Sequence, residues 1–138
     1  TFRGTVEFRS VCEQPVKEIM ASGAFHAGLM ENLHALTYYL ENDHVIYHKG
    51  YNASELRRQF VMTELPELFD KKAISELLLK ILGLASDGLK IREKNEERFL
   101  EPLYERAEKL LSPAKEMKDG MANGKTMKDY IYEYGVCV

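Results

Sequence analysis

The first residues of the chain carry a β-strand pattern, and no second strand pattern follows to pair with it. Between Thr5 and Arg9, Val6 and Phe8 alternate with Glu7 and Arg9, and successive side chains of a strand point to opposite faces. The backbone groups of one strand cannot satisfy one another. We therefore predict that the strand at 5–9 pairs with strands outside this chain, or with another molecule.

After Gln14-Pro15 the pattern becomes helical, and proline suits the first helical position. Apolar residues then recur at spacings of four, three and four, which predicts one buried face of a helix ending near Asn42. These residues are Leu29, Leu33, Leu36 and Leu40. Gly23 and Gly28 lie in the same helix and would allow another helix to pack closely against it.

Further helices are indicated by capping residues followed by apolar periodicity. The N-terminal signals are Asn52 with Glu55, Asp70, Ser112 with Pro113, and Thr126 with Asp129. The helix after Asp70 is strongly amphipathic, and we expect Leu78 to lie on its buried face. The sequence thus predicts a mainly α fold, a helical bundle with one short N-terminal β-strand, formed as a single region over residues 1–138.

Composition argues against two classes of partner. The chain has 138 residues and a net charge of −3, which does not favour binding to the dense negative charge of nucleic acid. No apolar run is long enough to span a bilayer, so no membrane is expected. Cys12 and Cys137 lie at opposite ends without a secreted cysteine framework, which indicates a reducing, cytoplasmic location.

Glu7 and Arg9 are the candidate functional residues because they share one face of the strand. Carboxylate oxygens bind Mg²⁺, and the planar guanidinium group binds phosphate oxygens. The alternative is a solvated face of an edge strand. His44 and His48 are four residues apart, as metal ligands on a helix can be, but the residues between them resemble strand or loop and no third ligand is evident. Tyr130, Tyr132 and Tyr134 are too clustered for one core face, which indicates a contact surface.

Three segments carry a family resemblance. TVEFRSVCEQPVKEIMASGAFHAGLMEN at 5–32, NASELRRQF at 52–60 and SDGLKIREKNEERFLEPLYERAEKLLSPAKEM at 86–117 resemble the C-terminal part of the glutamate–cysteine ligase family. There, a strand ending in Glu-x-Arg leads through a proline to a helix with small central residues. A Gly-Leu pair, an arginine, a Phe-Leu helix and a Ser/Thr-Pro-Ala turn follow later. The order and spacing of these motifs together carry the resemblance.

The resemblance implies a glutamine-synthetase-like α+β ligase in which a curved antiparallel sheet binds ATP, Mg²⁺, glutamate and cysteine. ATP would phosphorylate the γ-carboxylate of glutamate, and the cysteine amine would then displace phosphate to form γ-glutamylcysteine, the first step of glutathione synthesis. By motif, Glu7 would be a magnesium ligand, and Arg9 would contact a phosphate or the substrate carboxylate. The family's acid-rich strands and cysteine-binding loops are absent here. The remainder of the ligase or a second chain would therefore complete the sheet, and this chain alone should be inactive.

Two other functions stay open. Related carboxylate–amine ligases share the sheet, so the acceptor amine could differ from cysteine. A non-enzymatic helical interaction module, whose strand adds to a partner's sheet, is the alternative from another class. The coding sequence upstream of Thr1 separates these hypotheses, because a ligase requires a few hundred residues rich in acidic strands before this segment.

Overall fold

A computed structural model describes residues 15–45, 50, 52–60 and 69–135. The helices are α1 Ile19–Glu31, α2 Leu33–Glu41, α3 Ala53–Phe60, α4 Lys71–Ile91, α5 Glu101–Lys109, α6 Pro113–Ala122 and α7 Met127–Gly135. Two 3-10 turns, at Val16–Glu18 and Glu97–Leu100, precede α1 and α5. The mainly α prediction is confirmed for these residues. The strand predicted at 5–9 lies outside them and stays a prediction.

Helix α4 is the central element of the described part. Asp70 caps it by accepting a hydrogen bond from the Lys72 backbone N–H at 3.0 Å. Its buried residues recur at helical spacing, as the amphipathic pattern predicts. They are Ile74, Leu77, Leu82, Ala85, Gly88 and Leu89. The prediction for Leu78 is wrong, because its side chain is 39% exposed and lies at the margin of the buried face.

Helix α1 packs against α4 through small residues rather than through leucines. Gly28 and Gly88 are both buried, and a Cβ atom built on Gly28 would lie 2.1 Å from the Ala85 carbonyl oxygen. A Cβ atom on Gly88 would lie 2.0 Å from the Gly28 carbonyl oxygen. The two backbones therefore touch, which no side chain larger than hydrogen permits at these positions.

The predicted leucine face is only partly confirmed, since Leu29 packs against the core but Leu33 does not. Ala21, Ala24 and Gly28 are the buried residues of α1, whereas Leu33 is 51% exposed. In a helix that is apolar on all sides, spacing alone cannot tell which stripe a neighbour covers. Contact between the backbones requires the stripe of small residues.

The single helix predicted up to Asn42 is two helices, separated at Asn32. The Asn32 side-chain amide donates a hydrogen bond to the Leu84 carbonyl oxygen of α4 at 3.0 Å. Its backbone (φ −111°, ψ 30°) is not helical. Near this break, Arg92 after α4 pairs with Glu31 of α1 at 3.2 Å and with Glu96 at 2.6 Å. These polar contacts fix the end of α1 against the end of α4.

The second 3-10 turn and α5 close the core. Ala24, Ala85, Leu89 and Leu100 form its fully enclosed centre, and Phe25, Leu29, Phe99 and Leu103 pack around it. Pro102 lies in the first turn of α5, so the helix starts there rather than kinking. The Ser75 hydroxyl donates to the Ala107 carbonyl oxygen at 2.9 Å and joins α4 to α5.

Capping residues set the remaining helix starts, as predicted. The Asn52 side chain accepts from the Glu55 N–H at 2.8 Å, and Ser112 accepts from the Lys115 N–H at 3.2 Å. Thr126 and Asp129 form a reciprocal cap before α7, with two hydrogen bonds of 2.7 Å onto the Asp129 carboxylate. Leu110, in the left-handed conformation at φ 49°, ends α5 and turns the chain toward α6. None of the described helices is long and apolar enough to cross a membrane.

The glycine contact generates a prediction with an internal control. Gly28→Ala and Gly88→Ala should each lower the free energy of unfolding by about 1–3 kcal/mol or more, because the added methyl group meets backbone atoms that cannot rotate away. Gly83→Ala in α4 has nothing within 4 Å of the new Cβ and should instead stabilise the helix by about 0.5–1 kcal/mol. Urea denaturation measures all three. Equal effects of Gly28→Ala and Gly83→Ala would contradict the close crossing.

Two of the leucines of α4, Leu89 and Leu78, generate a second prediction. Leu89 is fully buried in the core cluster, so Leu89→Ala should destabilise the chain by about 2–5 kcal/mol. Leu78→Ala, at the margin, should cost less than half as much, because less apolar surface returns to water. Urea denaturation of the two variants side by side tests this ranking, and the reverse order would show that the core is misplaced.

Candidate functional site

The residues predicted to carry chemistry, Glu7 and Arg9, lie outside the described part of the chain, as do Cys12 and His48. Their assignments therefore stay predictions. The described chain begins six residues after Arg9, at Pro15, which is buried. The 3-10 turn Val16–Glu18 follows immediately, so the described structure bears on the segment that leads away from the predicted strand.

A cleft of about 750 Å³ opens beside this turn. The turn and α5 form one wall, and α6, α7 and the loop between them form the other. The lining residues are charged or aromatic for the most part. They include Lys17, Glu18, Glu105, Arg106 and Lys109 on the first wall, and Glu116, Asp119, Lys125, Tyr130, Tyr132, Glu133 and Tyr134 on the second.

The first wall holds the most enclosed ion pair of the described residues. Arg106 Nη2 donates to Glu18 Oε2 at 2.5 Å, and the two side chains are only 15% and 14% exposed. Arg106 projects from α5, and Glu18 ends the N-terminal 3-10 turn. Removing one partner of such a pair would leave a charge in a poorly hydrated place, and this is far more costly than losing an exposed ion pair.

The second wall is organised around Tyr130. Its ring is buried against Gly120, and its hydroxyl donates to the Glu116 carbonyl oxygen at 3.2 Å. Lys125 lies 5.2 Å from the centre of this ring and pairs with Glu133 at 2.8 Å. Helices α6 and α7 are therefore joined by the packing and hydrogen bond of Tyr130, and the loop between them is joined to α7 by the contacts of Lys125.

The three clustered tyrosines have three different environments. Tyr130 is buried, Tyr134 is half-buried and Tyr132 is 71% exposed. The rings of Tyr130 and Tyr134 meet edge to face, with their centres 6.2 Å apart. Burial raises the pKa of the Tyr134 hydroxyl, and the nearby Glu116 carboxylate raises it further, whereas Arg106 lowers it. Tyr134 therefore faces the charged groups of the cleft, and Tyr132 faces solvent.

The histidines of the described part do not form a metal site. His26 Nδ1 lies 2.8 Å from the Ser22 carbonyl oxygen of its own helix, while His34 and His44 are exposed. Among the described residues, no group of three or more metal-ligating side chains comes together. The described residues that line the cleft offer ionic and aromatic contacts, and none of them is a histidine, cysteine or serine.

Sequence reasoning missed Glu18 and Arg106. They are 88 positions apart, and no local motif joins them. Arg106 lies in a stretch where acids and basic residues alternate, as on any solvated helix surface, and Glu18 is a single acid just before an apolar helix. Only the fold brings the two side chains together and covers them.

The environment of Tyr134 generates a pH prediction. Its folded pKa lies above the ordinary tyrosine value of about 10, so stability from the neutral hydroxyl is fully present below pH 10. That stability is lost as the pH rises through the higher folded pKa. Glu116→Gln should lower the pKa of Tyr134, because the neutral amide removes a repulsive negative charge. Residue-resolved NMR titration measures both values, and an unchanged pKa in Glu116→Gln would place the carboxylate away from the hydroxyl.

No protein-family model, curated protein sequence or solved structure matches the chain.

Proposed function

We propose that this chain is the C-terminal part of an ATP-dependent glutamate–cysteine ligase, in which Glu7 and Arg9 belong to the nucleotide and metal site. The observation that carries the proposal is the order and spacing of the three segments at 5–32, 52–60 and 86–117. Under this proposal the chain alone is inactive. The remainder of the ligase, or a second chain, completes the sheet, and the enzyme acts in the cytoplasm.

The roles of these motif residues in the helical packing support the proposal. The small residues in the centre of the first segment include Ala24 and Gly28, which allow α1 to meet α4. The Gly-Leu pair of the third segment is Gly88-Leu89, on the other side of that same contact. A family that keeps this packing needs small residues at those places, which gives the sequence resemblance a physical basis.

The proposed reaction requires negative charge to be neutralised while a phosphoryl group moves. The γ-carboxylate oxygen of glutamate attacks the γ-phosphorus of ATP, and ADP leaves. The cysteine amine then attacks the acyl carbon, and inorganic phosphate leaves with the C–O bond electrons. When bound, Mg²⁺ supplies charge neutralisation at the phosphate oxygens. The Glu7 carboxylate would hold the metal ion, and the Arg9 guanidinium would donate to a phosphate or to the substrate carboxylate.

One observation also favours the interaction module as a second candidate. Helix α1 is apolar on all sides, yet Ile19 is 65% exposed, Met20 54% and Met30 55%. An apolar helix face of this kind is typical of a surface that packs on another element. The ligase proposal assigns that role to the rest of the enzyme, and the module assigns it to a separate partner. A related carboxylate–amine ligase with another acceptor amine would share all of these features.

Kinetics of the complete enzyme with ATP, glutamate and cysteine test the proposal. Arg9→Ala should lower kcat by about 10²-fold or more, because its contact matters most while charge moves during phosphoryl transfer. Glu7→Gln should also lower kcat, and raising the Mg²⁺ concentration should partly relieve that defect. The Arg9→Ala defect should not respond to Mg²⁺.

Two exposed residues provide matched controls for these variants. Arg98 is exposed in the second 3-10 turn, and the Glu76 side chain is 66% exposed on α4, so Arg98→Ala and Glu76→Gln should keep near-normal turnover. If folded Arg9→Ala and Glu7→Gln enzymes behave like these controls, Glu7 and Arg9 lie on a solvated strand face. If the wild-type protein forms an amide with another amine and not with cysteine, the related ligase is the correct reading.

A further inference from the structure

Three side chains from distant parts of the sequence meet at the cleft. Glu18 comes from the N-terminal 3-10 turn, Arg106 from α5 and Tyr134 from α7, and all three line the same space. Helix α7 also contacts the N-terminal turn directly. The end of the described chain therefore lies against its beginning, and the Glu18–Arg106 pair lies between them.

The ion pair attaches the N-terminal turn to the helical core. Within the turn, Pro15 is buried, the Glu18 N–H donates to the Pro15 carbonyl oxygen at 2.8 Å, and Val16 is 37% exposed. Helix α5, by contrast, is held by the core through Leu103 and by the Ser75–Ala107 hydrogen bond. Arg106 thus extends from a rigid helix and holds a small turn in place.

Helix α7 lies across the cleft from that pair and contacts the N-terminal turn. Tyr134 is half-buried beside the pair, and its ring packs on Tyr130, which is fixed to α6 by its hydroxyl. The Lys125–Glu133 pair joins the loop before α7 to the last turn of that helix. An Arg–carboxylate contact strengthens when water is excluded, so an ordered α7 makes the attachment of the turn stronger.

We infer that Arg106 is a positioning residue. It fixes Glu18, and with Glu18 the turn that follows the predicted Glu7–Arg9 strand, while Tyr134 covers the ion pair. The effect on the turn is independent of any activity. The effect on catalysis rests on the proposed ligase function, because a strand carrying metal and phosphate ligands must be held to within a fraction of an ångström. No charge on Arg106 itself needs to reach a substrate.

Amide hydrogen exchange of the intact chain tests the effect on the turn. Tyr134→Ala should speed exchange of the Glu18 and Ile19 amides, which donate the turn's hydrogen bonds to Pro15 and Val16, by about tenfold or more. Tyr132→Ala removes the same side chain from the same helix, where it is 71% exposed, and should change these rates less than about twofold. Equal rates in the two variants overturn the inference.

Arg106 itself is tested by variants that leave no unpaired buried charge. Arg106→Lys keeps the charge but loses the planar fork, and the double variant Glu18→Gln/Arg106→Met removes both charges at once. Both should speed exchange of the same two amides, the double variant by about tenfold or more, while the buried Leu89 amide of α4 keeps its protection. Unchanged exchange in the double variant overturns the inference even if one of the single variants fails to fold.

The complete enzyme provides the second readout. Arg106→Lys should lower kcat by about tenfold or more while the KM for ATP changes little, since a displaced ligand set weakens the transition state more than initial binding. Arg98→Lys, at an exposed site, is the control. If the Arg106→Lys enzyme has a normal kcat although its Glu18 and Ile19 amides exchange faster, Arg106 does not influence catalysis. If the wild-type enzyme makes no γ-glutamylcysteine, the proposed function is wrong. The amide hydrogen exchange experiment then still decides whether Arg106 fixes the turn.

Discussion

The backbone contact between Gly28 of α1 and Gly88 of α4 is the constraint on which the rest of the structure depends. Each glycine lies where a Cβ atom would stand about 2 Å from a carbonyl oxygen of the facing helix. Because the two helices touch there, Ala24, Ala85 and Leu89 are enclosed together, and Asn32 is close enough to bond with Leu84. The break at Asn32 lies beside this crossing, and Leu100 of the second 3-10 turn belongs to the same buried cluster.

The charged cleft forms where α6 and α7 pack near α5 and the N-terminal turn. Helix α5 is fixed by Leu103 and by Ser75, and it presents Arg106 to the N-terminal turn. After the left-handed residue Leu110, helices α6 and α7 form the other wall of the cleft. The N-terminal turn is therefore joined to α5 through an ion pair that is mostly shielded from water, and it contacts α7 directly. We infer that the geometry of the turn depends on α7. Under the proposed function, the position of the predicted strand with Glu7 and Arg9 depends on α7 as well.

Part of the candidate site could be predicted from the sequence, and part could not. Alternation in five residues predicts that Glu7 and Arg9 share one strand face, and both residue types suit magnesium and phosphate; that face lies outside the described residues and stays a prediction. Glu18 and Arg106 give no such signal, because a single acid and a single arginine far apart in the sequence are usually solvated. Likewise, the tyrosine cluster was visible in the sequence, but its division into a buried, a half-buried and an exposed ring depends on Gly120 and Glu116, which the fold places beside it.

The sequence by itself determined the mainly α class, the start of α4 at Asp70, the caps at Asn52, Ser112 and Thr126, and the buried stripe of α4. Those features arise from local hydrogen bonds and from a clear 3.6-residue period, so a short window contains all the information. Only the tertiary structure decided that α1 buries its small residues while Leu33 stays exposed, that Asn32 divides the predicted helix, and that Leu78 is marginal. These outcomes depend on which surface of one helix meets another, and in an apolar helix such as α1 several stripes are equally hydrophobic until a partner backbone comes close enough to accept only glycine.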